Sequence, residues 1–244
     1  MIFAHLKLKL KMKKILALLI LSLIFSCGED GKKLTVEATV KGLKKGTVYL
    51  KKVVDTNLVT VDSVTVNGDS NFTLQTDIDE PEVFHLYLDK NSKENDRISF
   101  FGDKGVTKIY TKLENFNFYA KIEGSKQQAL YQEYLEMMNK INNKNLDVFK
   151  ENLDALKNKD SVAIAKTEKA LEGYTKRKYL YAVNFAINNK DSEVAPYIAL
   201  SEIYDARLNL LDTINKVLTP KIKNSKYGKQ LEEYIAERKA EENE

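Results

Sequence analysis

Cys27 is the only cysteine among the 244 residues, and its neighbours are those of a lipid-attachment site. Ser26 precedes it and Ile24 lies three residues before it, and a lipoprotein signal peptidase reads a small and an aliphatic side chain at these two positions. Phe25 is bulkier than the usual residue between them, so the match is to a relaxed form of the motif. A chain acylated on Cys27 keeps no thiol, and we therefore expect no disulfide, no cysteine-bound metal and no thiol redox chemistry.

The residues before Cys27 have the composition of a targeting segment. Five lysines lie within residues 7–14, and an uninterrupted apolar run of residues 15–25 follows them. This run is too short to span a bilayer. Residues 1–26 are therefore interpreted as a lipoprotein signal peptide and residues 27–33 as a tether, with either Met1 or Met12 as the start. The alternatives are an ordinary signal peptide and an uncleaved signal anchor.

The net charge of the mature chain differs from that of the whole sequence. The chain has 39 Lys and Arg against 35 Asp and Glu, but five of the basic residues precede Cys27. The mature chain is therefore close to neutral, with acidic and basic residues interspersed. This balance gives no reason to expect nucleic-acid binding or an electrostatic membrane patch.

His85 is the one histidine after Cys27, although nucleophilic triads and most transition-metal sites require this residue. It lies in an expected strand, where it points away from the side on which Phe84, Leu86 and Leu88 lie. We expect a partly exposed strand histidine rather than a ligand.

Paired carboxylates could perform acid/base catalysis without a histidine. Asp62, Asp89, Asp96 and Asp103 lie at expected strand ends, but no pair stands out among the 35 acidic residues. The acidic residues 77–80 lack the glycine and the distal glutamate of an EF-hand loop, so a solvated turn is expected. The sequence predicts no catalytic residue, no metal and no cofactor.

The hydrophobic pattern divides the mature chain into two parts. From Leu34 to Glu123 apolar residues recur every second position, with turn signals between short runs, which predicts an antiparallel β-sandwich over residues 34–124. The runs are residues 34–41, 46–53, 58–66, 72–76, 82–89, 97–101, 106–112 and 116–123.

From Gly124 onward the apolar residues recur with the helical period, and Ser125 with Gln128 forms a capping box. This pattern predicts an all-α helical bundle over residues 125–244 and an α+β fold for the whole chain. The apolar stripes include Leu130, Tyr134, Met138 and Ile141; then Leu146, Phe149, Leu153 and Leu156; then Ile164, Leu171, Tyr174, Tyr181 and Phe185.

The sandwich has polar residues at its expected outer positions, such as Thr35, Glu37, Thr39 and Lys121. We therefore expect the helices to pack mostly on each other and the two parts to be separable. Tyrosines crowd the middle helices, and those on apolar stripes, such as Tyr181 and Tyr197, are expected to pack in the core.

Several short motifs follow one another in order along the chain. They are Asp62-Ser63, Asn67-Gly68 with Phe72, residues 122–125, residues 192–197 and residues 224–229. In this order they resemble a family of Bacteroidetes-type envelope lipoproteins, domain of unknown function 4369. The resemblance implies a β-sandwich, then a helical segment, then a thioredoxin-like thiol oxidoreductase domain.

Two features depart from that family. Asp69, Ser70 and Asn71 lengthen the hairpin after Gly68, and the sequence ends at Glu244, where the redox domain would begin. The chain has no Cys-x-x-Cys motif, so we do not expect oxidoreductase activity.

The sequence therefore favours a non-enzymatic cell-envelope lipoprotein that acts as a binding or structural module. Its expected partners are the membrane, through the lipid anchor, and an unidentified envelope protein or small ligand. The alternative is an envelope hydrolase or carbohydrate-active enzyme that uses unrecognised carboxylates. Gly28 lacks the charge of an inner-membrane retention signal, and Glu29-Asp30 resembles a surface-export tag. These residues favour the outer membrane, on its periplasmic face or at the cell surface.

Overall fold

The computed structural model describes residues 33–89 and 96–242. The signal peptide, Cys27 and the tether before Lys33 lie outside the described residues. Within them the predicted α+β fold is confirmed, because two sheets precede a helical part. The strands are β1 (Lys33–Lys41), β2 (Lys45–Val54), β3 (Asn57–Asn67), β4 (Asn71–Asp77), β5 (Glu82–Tyr87), β6 (Ile98–Gly102), β7 (Gly105–Lys112) and β8 (Lys121–Glu123).

The strands form two four-stranded sheets, ordered β4-β1-β7-β8 and β3-β2-β5-β6. All pairs are antiparallel except β1 with β7, which run parallel with Leu34 opposite Gly105. The alternation along β1 buries Leu34, Val36, Ala38 and Val40 between the sheets and leaves the residues between them at the outer face. The second sheet contributes Phe84, Leu86 and Phe100 to the same core.

One predicted strand is wrong over most of its length. Residues 114–119 form turns, and only Lys121–Glu123 pairs as a strand. Asn115 adopts a left-handed backbone with φ of 55°, and the Thr111 hydroxyl donates to the Phe116 carbonyl at 2.6 Å. Phe116 is buried, but Phe118 is 80% exposed, so the alternating pattern did not reflect one buried face.

The first helix begins directly after Ser125, as the capping signal predicted. The helices are α1 (Lys126–Asn158), α2 (Ser161–Asn188), α3 (Val194–Glu202), α4 (Leu208–Val217), α5 (Pro220–Lys223) and α6 (Lys226–Glu241). Ser125 caps α1 by accepting from the Gln128 N–H at 3.2 Å, and Ser225 caps α6 in the same way. Asp160 caps α2 through two backbone N–H groups.

Helices α1 and α2 form a long antiparallel hairpin, and the helical core covers only part of it. This core extends along α1 as far as Ile141 and begins on α2 at Tyr179. We call the rest of the hairpin, residues 142–178, the arm. No helix within residues 33–89 and 96–242 is long and apolar enough to cross a membrane.

Candidate functional site

The helices pack against the outer face of strands β5 and β6, and this contact is the junction between the two parts of the chain. Every residue of β5 is buried, because Phe84 and Leu86 face the sandwich core while Val83 faces the helices. The expectation of a polar outer surface holds for Thr35, Glu37, Thr39 and Lys121 on the first sheet, but it is wrong for these two strands of the second sheet.

An aromatic cluster forms the centre of the junction. The Phe101 ring of β6 meets Tyr131, Tyr197 and Tyr227 edge to face, with ring centroids 5.5, 5.2 and 6.1 Å apart. Burial raises the pKa of all three tyrosines, so their hydroxyls remain protonated. This arrangement confirms core packing for Tyr197, whereas Tyr204 is 55% exposed.

Two hydrogen bonds attach the strands to the helices at the junction. The Val83 N–H donates to the Tyr227 hydroxyl, and the Phe101 N–H donates to Gln128 Oε1, each at 2.8 Å. Gln128 was expected to bond back to the N-terminus of its own helix as the second half of a capping box. Its side chain bonds the edge strand β6 instead, because that strand carries an outward N–H that requires an acceptor.

Acidic residues of the sandwich fix the start of α6. Glu82 is 5% exposed and bonds Lys52 through Oε1 at 2.6 Å and Lys226 through Oε2 at 2.5 Å. Glu80 Oε2 accepts from the Lys226 N–H at 3.0 Å, as an acidic group at a helix N-terminus does. These two carboxylates therefore hold the two parts of the chain together.

The residues of the motif 224–229 either bind the sandwich or shape the start of α6. Lys226 and Tyr227 bind the sandwich, and Ser225 caps α6. A Cβ atom on Gly228 would lie 1.9 Å from the Ile222 carbonyl oxygen, so only glycine fits where α5 meets α6. The motif has a structural role in the described part of the chain.

His85 lies in a cleft of about 300 Å³ on one side of the aromatic cluster. It is 6% exposed, so the prediction of a partly exposed side chain is wrong, because the helices cover this face of β5. Its Nδ1 is 2.9 Å from the Ser99 hydroxyl. Burial, aided by the positive charge of Arg97, lowers the pKa of His85 to about 4, so the ring is neutral at pH 7.

A second cleft, of about 390 Å³, lies near Glu193 at the start of α3 and includes Asp79, Glu80 and Asp103 among its lining residues. Burial raises the pKa of Glu193, and the positive charge of Lys221, whose Nζ lies 4.0 Å from Glu193 Oε1, partly opposes this shift. Glu193 Oε2 accepts from Gln127 Nε2 at 2.6 Å, and Gln127 Oε1 accepts from the Ser192 hydroxyl. The sequence did not identify Glu193, because its burial depends on contacts between helices distant in sequence.

The aspartates expected at strand ends do not form a common site. Asp62 bonds the N–H groups of Ser63 and Gln75 at 2.8 and 2.7 Å, which ties β3 to the neighbouring sheet. Asp103 lines the Glu193 cleft, whereas Asp89 and Asp96 border residues 90–95, which are outside the described residues. No group of three His, Cys, Asp or Glu side chains suited to a metal ion occurs among residues 33–89 and 96–242.

A third cleft, of about 630 Å³, lies at the base of the arm between α2 and α4. Tyr179 and Leu180 of α2 line one side, and Asp205 and Leu210 line the other. The Tyr179 hydroxyl donates to Asp205 Oδ2 at 2.9 Å, and this bond raises the pKa of Tyr179. Glu172, Lys176 and Arg207 add charged groups to the lining of this cleft.

The arm has an apolar stripe that α2 does not cover. Its four side chains, Leu146, Phe149, Leu153 and Leu156, are 50, 47, 49 and 49% exposed. The sequence predicted this stripe, but the prediction that it packs within the helical bundle is wrong. The face of α1 directed at α2 instead carries Asn152 and Ala155, which are buried.

A polar bond lies within the hairpin instead of an apolar layer. Asn152 Nδ2 donates to the Thr167 hydroxyl at 2.7 Å, and that hydroxyl bonds the Ala163 and Ile164 carbonyls. Both residues are almost fully buried. This bond fixes which face of α1 meets α2, and it thereby leaves the more apolar face uncovered.

Comparison with known proteins gives one family match. A family model described as "Domain of unknown function (DUF4369)" matches residues 34–131. No curated protein matches the chain. The solved structure titled "pT26-6p" is 11% identical to this chain with a TM-score of 0.23, and the match covers 80% of this chain and 42% of that one. Residues 34–131, the sandwich and the beginning of α1, therefore form a domain of the family described as domain of unknown function DUF4369.

Proposed function

We propose that this chain is a lipid-anchored cell-envelope protein that binds another macromolecule through its arm and catalyses no reaction. The uncovered stripe of Leu146, Phe149, Leu153 and Leu156 carries the proposal. Exposing a contiguous row of large apolar side chains to water costs free energy, so proteins that carry such a row generally cover it with a partner.

The contacts of the junction support the absence of catalysis. Glu80 and Glu82 bind α6, and Glu193 binds Gln127, so these carboxylates already have structural partners. The ring of His85 is neutral and buried between the sheet and the helices. A catalytic acid or base needs access to a substrate in a productive geometry.

The Glu193 cleft favours one second candidate, a hydrolase that uses carboxylates. A carboxyl with a raised pKa beside Asp103 is the type of group that acts as a general acid. Hydrolysis of chromogenic glycosides and esters by the purified chain, lost in Glu193→Gln and retained in Glu168→Gln at an exposed position of α2, would support this candidate over the binding module.

The lipid anchor is part of the proposal and rests on Cys27 and its signal peptide. The six residues from Cys27 to Lys33 reach at most about 20 Å when extended, so β1 would begin close to the membrane. The loops at residues 78–81 and 103–104 lie at this end of the sandwich, since Asp77 pairs with Lys33 and Gly105 with Leu34. The composition of residues 28–30 favours the outer membrane.

The anchor is tested by Cys27→Ser, which removes the acylated atom. Since several acyl chains give stable anchoring, we expect the unmodified chain in the detergent phase of a phase-separation assay and the variant in the aqueous phase. A variant that still partitions with detergent would contradict the anchor. Proteinase treatment of intact and of permeabilised cells then distinguishes the cell surface from the periplasmic face.

A further inference from the structure

We propose that the sandwich makes a second contact with the membrane, in which the turn after β7 and the lysines near it bind the surface of an anionic lipid bilayer. The juxtaposition of exposed aromatic side chains and lysines without carboxylate partners, at one end of the sandwich, carries the inference. It goes beyond the proposed function, because it concerns the sandwich and not the arm, and its test needs no acyl chain on Cys27.

Residues 113–119, which we call the aromatic turn, expose three large apolar side chains. Phe118 is 80% exposed, Leu113 is 45% exposed and Tyr119 is 44% exposed. The rings of Phe118 and Tyr119 meet edge to face, with centroids 5.3 Å apart. Tyr110, near the end of β7, adds a fourth side chain that is 46% exposed. Apolar groups clustered in this way at a surface are typical of an interaction site.

The bonds of the aromatic turn hold these rings outward. Phe116 is buried in the sandwich core, and its carbonyl accepts from the Thr111 hydroxyl at 2.6 Å. The N–H groups of Phe118 and Tyr119 both donate to the Asn115 carbonyl, at 3.0 and 3.2 Å. The turn is therefore ordered before it meets a ligand, so covering Phe118 requires little further ordering of the chain.

Five exposed lysines lie at the same end of the sandwich as the aromatic turn. They are Lys41, Lys44, Lys45, Lys112 and Lys121. Lys41 and Lys112 are neighbours in the register of β1 with β7, where like charges repel. Among the described residues, no carboxylate forms an ion pair with any of the five. An anionic ligand would relieve this repulsion.

The charges of the sandwich are divided between its two ends. In the turns near the five lysines the acidic residues are Asp69 and Glu114. The other end carries Asp77, Asp79, Glu80 and Asp103 together with Lys33 and Lys104. A basic end with exposed aromatic rings is complementary to a bilayer surface, where anionic headgroups lie above an apolar interior.

A shallow depression of about 570 Å³ beside the aromatic turn offers a place for a headgroup. Lys41, Gly42, Lys112, Leu113 and Glu114 line it. Lys112 Nζ lies 4.8 Å from the centre of the Tyr119 ring, so a charge and a ring occur together there. The two lysines can bind a phosphate while the apolar side chains enter the interface between headgroups and acyl chains.

The position of Cys27 is compatible with this contact and fixes how the sandwich lies. Strand β1 spans about 26 Å between its two ends, whereas the tether reaches at most about 20 Å. Both contacts therefore touch one bilayer only when the sandwich is inclined or flat. The helices cover the outer face of the second sheet at β5 and β6, so the outer face of the first sheet is directed at the bilayer.

The first experiment measures sedimentation of the mature chain carrying Cys27→Ser with lipid vesicles. The chain should bind vesicles of equal parts phosphatidylglycerol and phosphatidylcholine at low salt. Binding should be at least about tenfold weaker to phosphatidylcholine alone and in about 0.5 M NaCl. Lys41→Glu combined with Lys112→Glu should weaken binding by a similar factor. Lys166→Glu combined with Lys169→Glu, at exposed positions of α2, makes the same change in net charge and should bind normally.

The second experiment uses the absence of tryptophan from the chain. Phe118→Trp introduces a single indole, whose emission should shift to shorter wavelength when phosphatidylglycerol vesicles are added. Lipids brominated on their acyl chains should quench it. Phe149→Trp, in the exposed stripe of the arm, is the matched control and should neither shift nor be quenched. Thermal unfolding of both variants should match that of the unmodified chain, since each ring is exposed.

The outcomes separate this inference from the proposed function. No binding to phosphatidylglycerol vesicles, equal binding of the variant with Lys41→Glu and Lys112→Glu, or an unshifted Phe118→Trp each overturns the second membrane contact. A shift in Phe149→Trp alone assigns vesicle binding to the arm and also overturns it. Crosslinking in native envelopes tests the arm separately. A crosslink to another protein that is lost in Phe149→Glu and kept in Phe118→Ala supports binding through the arm, and if no crosslink depends on the stripe, that proposal fails.

Discussion

Individual residues at the junction bind partners from both parts of the chain. Glu82 of β5 bonds Lys52 within the sheet and Lys226 of α6, and Tyr227 accepts from the Val83 N–H. A buried carboxylate is costly to leave without its partner lysines. Each of these residues therefore stabilises the contact as long as the others are present. The residues of the C-terminal motif that looked like a family signature are therefore structural.

His85 gives the folded chain a predictable dependence on pH. Its pKa is about 4 in the folded chain and near 6.5 when unfolded, so between these values the unfolded chain binds the proton and the folded chain does not. Its contribution to stability is complete above pH 6.5 and is lost as the pH falls towards 4. From pH 7 to pH 5 the titration of His85 by itself should lower the free energy of unfolding by about 2 kcal/mol.

Urea unfolding of the unmodified chain and of His85→Gln at both pH values checks this expectation. Glutamine keeps a group that can bond Ser99 but does not titrate, so the variant should lose much less stability between pH 7 and pH 5. Asp55, Arg97 and Lys226 are the other charged residues that line the same cleft. Equal losses in the two proteins would contradict the buried neutral ring.

Strands β5 and β6 are buried on both faces, because the sandwich core covers one face and the helices cover the other. Strand β6 is an edge strand, and α1 satisfies its outward Phe101 N–H through Gln128. The N-terminal turns of α1 thus contact the sheet, while the residues of α1 in the arm pack against α2. One helix therefore connects the sandwich, the helical core and the arm.

Gln128→Ala tests the link between α1 and β6. The substitution leaves the buried Phe101 N–H without its acceptor and should lower the free energy of unfolding by about 1–3 kcal/mol. Gln132→Ala, at an exposed position of the same helix, should change it by less than about 0.5 kcal/mol. Urea unfolding measures both, and indistinguishable variants would show that the bond contributes no net stability.

At the scale of the whole molecule, the aromatic cluster makes the sandwich and the helices share a core. Val83 and Phe101 of the sheet belong to the same buried cluster as the residues of α3 and α6. The boundary between residues 124 and 125 stays a prediction, but the shared core argues against independent folding of the two parts. We expect one cooperative unfolding transition for the intact chain.

Phe101→Ala tests this coupling. Removing a fully buried ring should cost about 3–5 kcal/mol and lower the unfolding temperature of sheet and helices together. Phe118→Ala is the control, since that ring is 80% exposed. Circular dichroism of the helices and intrinsic tyrosine fluorescence should change at one temperature, and two separate transitions would show that the parts fold independently.

The sequence alone determined the features that depend on residues close together in the chain. Strand and helix periods and the Ser125 cap follow from local chemistry, and the structure confirms them. The run from Phe116 to Ala120 shows the limit of this approach, because an alternating pattern does not show whether a neighbouring strand is available to pair with it.

Only the tertiary structure decided which faces are covered. The sequence correctly placed His85 opposite Phe84 on β5, but its burial depends on Tyr197 and Tyr227, more than a hundred residues away. Two stripes of α1 differ by one residue in register, and the stripe that meets α2 is the more polar one, held by Asn152 and Thr167. Hydrophobicity predicts that a stripe will be covered, whereas the partner that covers it depends on the packing of the whole molecule.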